Sequence, residues 1–170
     1  MAATARLVEI IGDIIRSWRF PRRVMRKHLA AGLREDRALI CLFTACLLIF
    51  VSQFPALMRA SEPESFEARV VGPLFAWLFV APLFMYILAA LSHLLARLAG
   101  GQGSWFGARL ALFWSMLAAA PFWLASGFVI EFAGATFLTN IVAALALGMF
   151  VVIWMSSLIE AESGATQSAV

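Results

Sequence analysis

Four long apolar stretches, parted by short polar or glycine-rich breaks, follow a first segment in which apolar and charged residues alternate with helical spacing. In that segment Leu7, Ile10, Ile11, Ile14, Ile15 and Trp18 fall on one helical face, and Arg6, Glu9, Asp13 and Arg16 occupy the other. The spacing predicts an amphipathic helix too charged to span, lying in the plane of a membrane interface. Pro21 ends it, and a second piece with Val24, Met25, His28 and Leu29 on one side runs to about Gly32. The apolar stretches then predict spans at about 37–57, 72–99, 105–132 and 136–159, each long enough for a hydrocarbon core of about 30 Å when interfacial ends are counted. The expected architecture is an all-α polytopic membrane helix bundle. Four transmembrane helices (37–159) follow a basic amphipathic interfacial leader (1–36), and a flexible polar tail (160–170) comes last.

Two features punctuate the spans. Gly100, Gly101 and Gly103 form a hinge between the second and third, where a helix C-terminus needing positive φ meets a tight turn. Ser104 is placed to cap the third span, and Trp105 and Phe106 suit the headgroup level. Pro82 and Pro121 fall inside the second and third spans and should bend both. Small residues recur every four positions at Gly107, Ala111, Ser115 and Ala119, and again at Ala144 and Gly148. That spacing predicts faces on which another helix backbone approaches closely.

Composition fixes the solvent. With 63% hydrophobic and 14% charged residues, and a mean hydropathy of +0.91, far more apolar surface exists than a soluble domain of 170 residues can bury. Charge fixes the expected orientation: nine of the thirteen Lys and Arg lie between Arg6 and Arg37, and Arg97 and Arg109 flank the hinge, whereas the first loop is net acidic. The positive-inside rule then places both termini and the hinge in the cytoplasm. Arg16, Arg19, Arg22, Arg23, Arg26 and Lys27 cluster at the joint of the leader, and anionic lipid headgroups explain such an arm better than nucleic acid. Cys41 and Cys46 lie five apart in the first span, on different faces, and read as small buried residues.

Candidate chemistry is sparse. His93, seven residues before the hinge, is the one ionisable side chain expected well inside a span with functional potential, although no carboxylate, Cys or second His stands near it in sequence. A structural or interfacial histidine is the plainer expectation. Ser115 has no base beside it and no GxSxG around it, so a hydroxyl bonding back to its own helix accounts for it. Glu131 and Asn140 flank the outer turn and read as solvated or capping. No catalytic, cofactor-binding or metal-ligating set is expected, and no cofactor.

The run LAGGQGSWFGARLALFWSMLAAAP (98–121), preceded by WRFPRRVMRKHLAAG (18–32), resembles the central hairpin and basic, proline-broken leader of Yip1-domain membrane proteins of bacterial type. The family usually has five spans and this chain supports four; its Tyr-Ser before the proline stands here as Trp114-Ser115, and Val71-Gly72-Pro73 only echoes its Tyr-Gly-Pro. For bacterial members the resemblance implies a membrane protein without an assigned reaction. The expected function is therefore that of a non-enzymatic protein of a bacterial cytoplasmic membrane, organising or assisting a complex through helix packing, self-association and contacts with anionic lipid or protein. The competing expectation is a small oligomeric transporter or channel built on the two bends and His93.

Overall fold

The computed structural model describes residues 2–59, 65–133 and 137–163, and every regular element among them is helical. Helices α1 (Ala2–Ser17) and α2 (Pro21–Ala30) form the leader, and α3 (Glu35–Arg59) follows. Then α4 (Phe66–Phe75), a π segment (Ala76–Val80) and α5 (Ala81–Leu98) run on without a break, and α6 (Trp105–Ala133) and α7 (Phe137–Glu162) complete the bundle. Among the described residues, four stretches are long and apolar enough to cross a membrane: Glu35–Met58, Phe66–Leu98, Trp105–Val129 and Phe137–Glu162. The chain is an all-α membrane bundle of four such helices.

Helix α6 is the axis. It packs against α3, α5 and α7, with α1 added along its first half. From Phe106 to Ala120 every side chain but Arg109 is buried, and beyond Pro121 most are only half-buried or exposed. Its small residues permit this crowding. Gly107, Ala111, Ser115 and Ala119 all lie in the buried half, and a Cβ on Gly107 would sit 3.4 Å from that of Ala161 on α7. Twenty residues on, a 3.6-residue helix has turned by about 200°, so Gly127 faces the opposite neighbour. A Cβ there would come within 2.2 Å of the Ser52 carbonyl oxygen on α3.

Two boundaries and one interior feature differ from the sequence expectation. The second span starts at Phe66 and not at 72, because the Ser65 hydroxyl accepts from the Ala68 N–H and begins a helix that carries Gly72 and Pro73 inside it. Where a bend is expected at Pro82, the structure has a π segment just before the proline, and its wider turns accommodate the missing N–H and the bulk of the ring. The fourth span continues to Glu162, so Glu160 and Glu162 belong to a helix and are buried, where a polar tail was expected. The expected turn at Gly134 and Thr136, loop residues Glu62 and Glu64, and positions 164–170 lie outside the described residues.

The leader differs most. Its two helices fold back on each other and dock on the bundle, α1 on α6 and α2 on α7, so it does not lie as a free interfacial helix. Its polarity is inverted relative to a soluble hairpin. Asp13 and Ser17 are buried, while Ile10, Ile11 and Ile15 are exposed. In water that arrangement would be costly; beside hydrocarbon or lipid headgroups it puts each group with its preferred neighbour.

Candidate functional site

The hinge is built from backbone requirements. Gly100 has φ +90°, its N–H donates to the Arg97 carbonyl (3.0 Å), and the Gly101 N–H donates to the Ala96 carbonyl (2.8 Å). These two bonds make a Schellman end to α5, with glycine in the left-handed position. The chain then presses against the last turn of α7. A Cβ on Gly103 would lie 2.5 Å from the Ala161 carbonyl oxygen, and one on Gly101 would lie 2.9 Å from both the Ala96 carbonyl oxygen and Glu162 Oε2. The approach lets Gln102 donate its N–H to the Glu162 carbonyl (2.9 Å). Ser104 then caps α6, accepting from the Gly107 N–H at 3.0 Å.

Glu162 is the centre of this junction. Its Oε2 accepts from the Gly103 N–H at 3.0 Å, and its Oε1 lies 2.6 Å from His93 Nδ1, with both side chains almost wholly buried. The imidazole also packs on Trp105, ring centroids 4.5 Å apart. The carboxylate and the imidazole thus make one close polar contact across the bundle, both almost wholly enclosed by other side chains. The sequence offered His93 with no partner, because Glu162 stands 69 positions away and was read as tail. A run of two carboxylates directly after an apolar span, within reach of a glycine hinge, was the signal available.

The second polar cluster clasps the leader. Asp13, buried, lies 2.7 Å from Lys27 Nζ, which also reaches Glu9 at 2.8 Å. Arg16 is 3.7 Å from Asp13, and Arg26 Nε donates to Glu160 on α7 at 2.8 Å. Hydrogen bonding to Asp13 and Glu9 raises the Lys27 pKa above its ordinary value, and the same bond to Lys27 lowers that of Glu9. Trp114 Nε1 donates to Ser17 Oγ (2.9 Å), which donates in turn to the Asp13 carbonyl (2.7 Å). His28 lies against the Trp114 ring at 4.2 Å, and burial pushes its pKa below the ordinary 6.5. At the joint, Trp18 Nε1 donates to the Ala118 carbonyl (2.9 Å), near the turn of α6 that Pro121 disturbs.

The six basic residues named for lipid contact thus divide. Arg26 and Lys27 are committed to carboxylates and Arg16 stands near one, whereas Arg19, Arg22 and Arg23 at the joint are exposed and without a carboxylate partner among the described residues. Arg23 lies over the Phe20 ring at 5.0 Å. Of the small residues named for packing, Ala144 and Gly148 are exposed, and nothing lies within 4 Å of a Cβ built on Gly148. Gly127, which does meet another backbone, was not singled out; it continues the four-residue series after Trp123 interrupts it.

Ser115 Oγ donates to the Ala111 carbonyl of its own helix (2.6 Å), as its sequence context implied. Among the described residues no three His, Cys, Asp or Glu side chains are grouped to hold a metal ion, and both cysteines are free thiols. Comparison with family profiles, with characterised proteins and with solved structures finds no match to this chain.

Proposed function

We propose that this chain is a non-enzymatic integral membrane protein of the Yip1 type, with its termini and hinge on the cytoplasmic side of a bacterial inner membrane. It serves as an organising or accessory subunit that engages anionic headgroups or a protein partner through the tip of its leader. The observation that carries this reading is the division of the leader cations: Lys27 ties α2 to α1, Arg26 ties α2 to α7 and Arg16 stands near Asp13, while Arg19, Arg22 and Arg23 lie exposed beside Trp18 and Phe20 without a carboxylate partner among the described residues. Aromatic rings next to unpaired arginines suit a headgroup layer, where each cation contributes about 1 kcal/mol.

The test uses full-length protein in nanodiscs of mixed zwitterionic and anionic lipid, with native mass spectrometry of the lipid retained. Replacing Arg19, Arg22 and Arg23 together by Gln should abolish enrichment of anionic lipid while leaving the thermal midpoint unchanged. Enrichment equal to that of the parent protein would sink the lipid reading.

A second reading, the small oligomeric transporter, is favoured by the buried His93–Glu162 pair, since intramembrane ionisable pairs serve proton relays. Proton flux into proteoliposomes should then be lost on His93→Gln. Flux absent in the parent, or unaffected by the change, removes that reading.

A further inference from the structure

On the side of the bundle away from the hinge, α6 and its neighbours part to leave a cavity of about 640 Å³. Its walls include Trp77, Met85, Met116, Trp123, Leu147 and Phe150, drawn from the π segment, α5, α6 and α7. The cavity is within the size range of sites that enclose small ligands, roughly 300–1,000 Å³. Along α3 it extends from Ile49 to Leu57, about 12 Å at the rise of an α-helix.

Three polar residues of the lining indicate what enters. Ser52 and Ser126 donate their hydroxyls to carbonyls of their own helices, Ile49 at 2.6 Å and Trp123 at 2.8 Å. They keep only acceptor capacity. Gln53 is different: it lines the cavity, half-buried, and its amide makes no hydrogen bond among the described residues. An amide in a membrane-spanning helix seeks a hydrogen bond. Water alone fits poorly against walls of indole, thioether and phenyl groups, because it would find too few partners there.

We propose that this cavity holds one hydrocarbon chain of a glycerol-ester membrane lipid, entered sideways from the bilayer, with the Gln53 amide hydrogen-bonded to the polar ester region. The distorted helix wall supports the same assignment. The π segment carries Trp77 onto the lining, and Pro82 follows at once, so the chain deviates from regular helix where the cavity is formed. Such single π segments recur at functional sites in helices. The proposal does not depend on the leader and stands apart from the function argued above.

The test is photolabelling of the full-length protein in nanodiscs made with phosphatidylglycerol bearing a diazirine near the end of one acyl chain. Peptides carrying Trp77, Met116 and Phe150 should take more label than those carrying Leu83 and Phe84, which are simply exposed. Ala143→Trp and Leu147→Trp each push a ring from α7 into the space. Either should cut cavity labelling about tenfold, the factor expected from displacing about two methylenes, without altering label on Leu83 or Phe84. Leu147 is half-exposed, so that variant serves if Ala143→Trp does not fold. Gln53→Leu should lower cavity labelling as well. Label spread evenly over all exposed faces overturns the proposal, as does cavity labelling indifferent to all three changes. Crosslinks joining cavity peptides of two chains overturn it too, because a second copy would then fill the space.

Discussion

The two halves of α6 have similar apolar composition and different surroundings. From Phe106 to Ala120 the helix is enclosed by α3, α5, α7 and the leader; after Pro121 the leader reaches it through the Trp18 ring on Phe122, the neighbouring wall passes through a π segment, and a cavity opens. In a bilayer apolar surface alone does not drive helices together, since lipid tails solvate it equally well. What encloses the first half is a set of specific polar bonds and close glycine contacts: Trp18 to Ala118, Trp114 to Ser17, Arg26 to Glu160, and Glu162 to His93 and Gly103. Among the described residues, the second half has Gly127 against Ser52 as its one contact of that kind. Order in this protein follows hydrogen bonds and close backbone contacts more than hydropathy.

The largest blow to that contrast is Glu162→Ala. It strips His93 and the Gly103 N–H of their partner inside a buried site, and breaking such a pair costs about 3–5 kcal/mol. Thermal unfolding of the protein in mild detergent should show a fall in midpoint well beyond that of any surface change. Replacing both partners at once, His93→Phe with Glu162→Leu, should recover much of the loss, because no charge is then left stranded. A midpoint untouched by Glu162→Ala would mean that the junction does not hold the hinge half together.

Glycine replacements come next and probe each half separately. Gly103→Ala drives a methyl into the Ala161 carbonyl, and Gly127→Ala drives one into that of Ser52. Both obstacles are backbone atoms that cannot rotate aside, so each change should cost about 1–3 kcal/mol. Hydrogen exchange should then locate the damage, around residues 96–106 for Gly103→Ala and around 48–56 for Gly127→Ala. Protection lost over the whole bundle in both cases would show that the two halves are one cooperative unit.

How much of this the sequence carried depends on the kind of interaction. Helix number, the capping of α6 by Ser104 and the positive φ of Gly100 were legible, because they rest on local pattern and local backbone demands. The docking of the leader was not. Asp13 sits on the charged face of α1, and only the folded hairpin, which brings Lys27 to it, turns it into a buried group. His93 had the right depth but no visible partner, since the sequence pattern ends the fourth span at about 159 and Glu162 stands past that point. The cavity had no signature at all, because it arises from how far four helices stand apart.

A smaller effect separates the leader from the bundle it covers. Burial lowers the folded-state pKa of His28 below 6.5, outweighing the opposite pull of Asp13, while Lys27 and Arg37 act in the same direction as burial. The depressed value means that docking is at full strength above pH 6.5, where the ring is neutral in both states. It weakens as pH falls below that, because the undocked leader then takes up the proton more readily. Hydrogen exchange of residues 8–30 should therefore quicken by a few-fold between pH 7.5 and pH 5.5 after correction for the intrinsic rate, an effect of about 1 kcal/mol or less. His28→Phe keeps a ring for Trp114 to pack on and should flatten that profile. A profile unchanged by the substitution would show that His28 is not the source of the acid sensitivity, because Glu9, with its lowered pKa, contributes only at more acidic values than this window.

The smallest expected effect is the most informative about what lies outside the chain. Ala144 and Gly148 share an exposed face of α7, and open space surrounds the Cβ position of Gly148. Gly148→Ala should thus leave the thermal midpoint of the monomer within about 0.5 kcal/mol of the parent, the usual range for a surface change. A small-residue face exposed on α7 nevertheless has the spacing that admits a second helix backbone. Gly148→Leu, with a bulky side chain in the same place, separates the two cases. If the face meets only lipid, Förster transfer between labelled copies in nanodiscs or vesicles is the same for parent, Ala and Leu proteins. If it is a contact between copies, the Leu variant loses transfer while its monomer unfolds at an unchanged temperature, and the exposed end of the contrast becomes an interface.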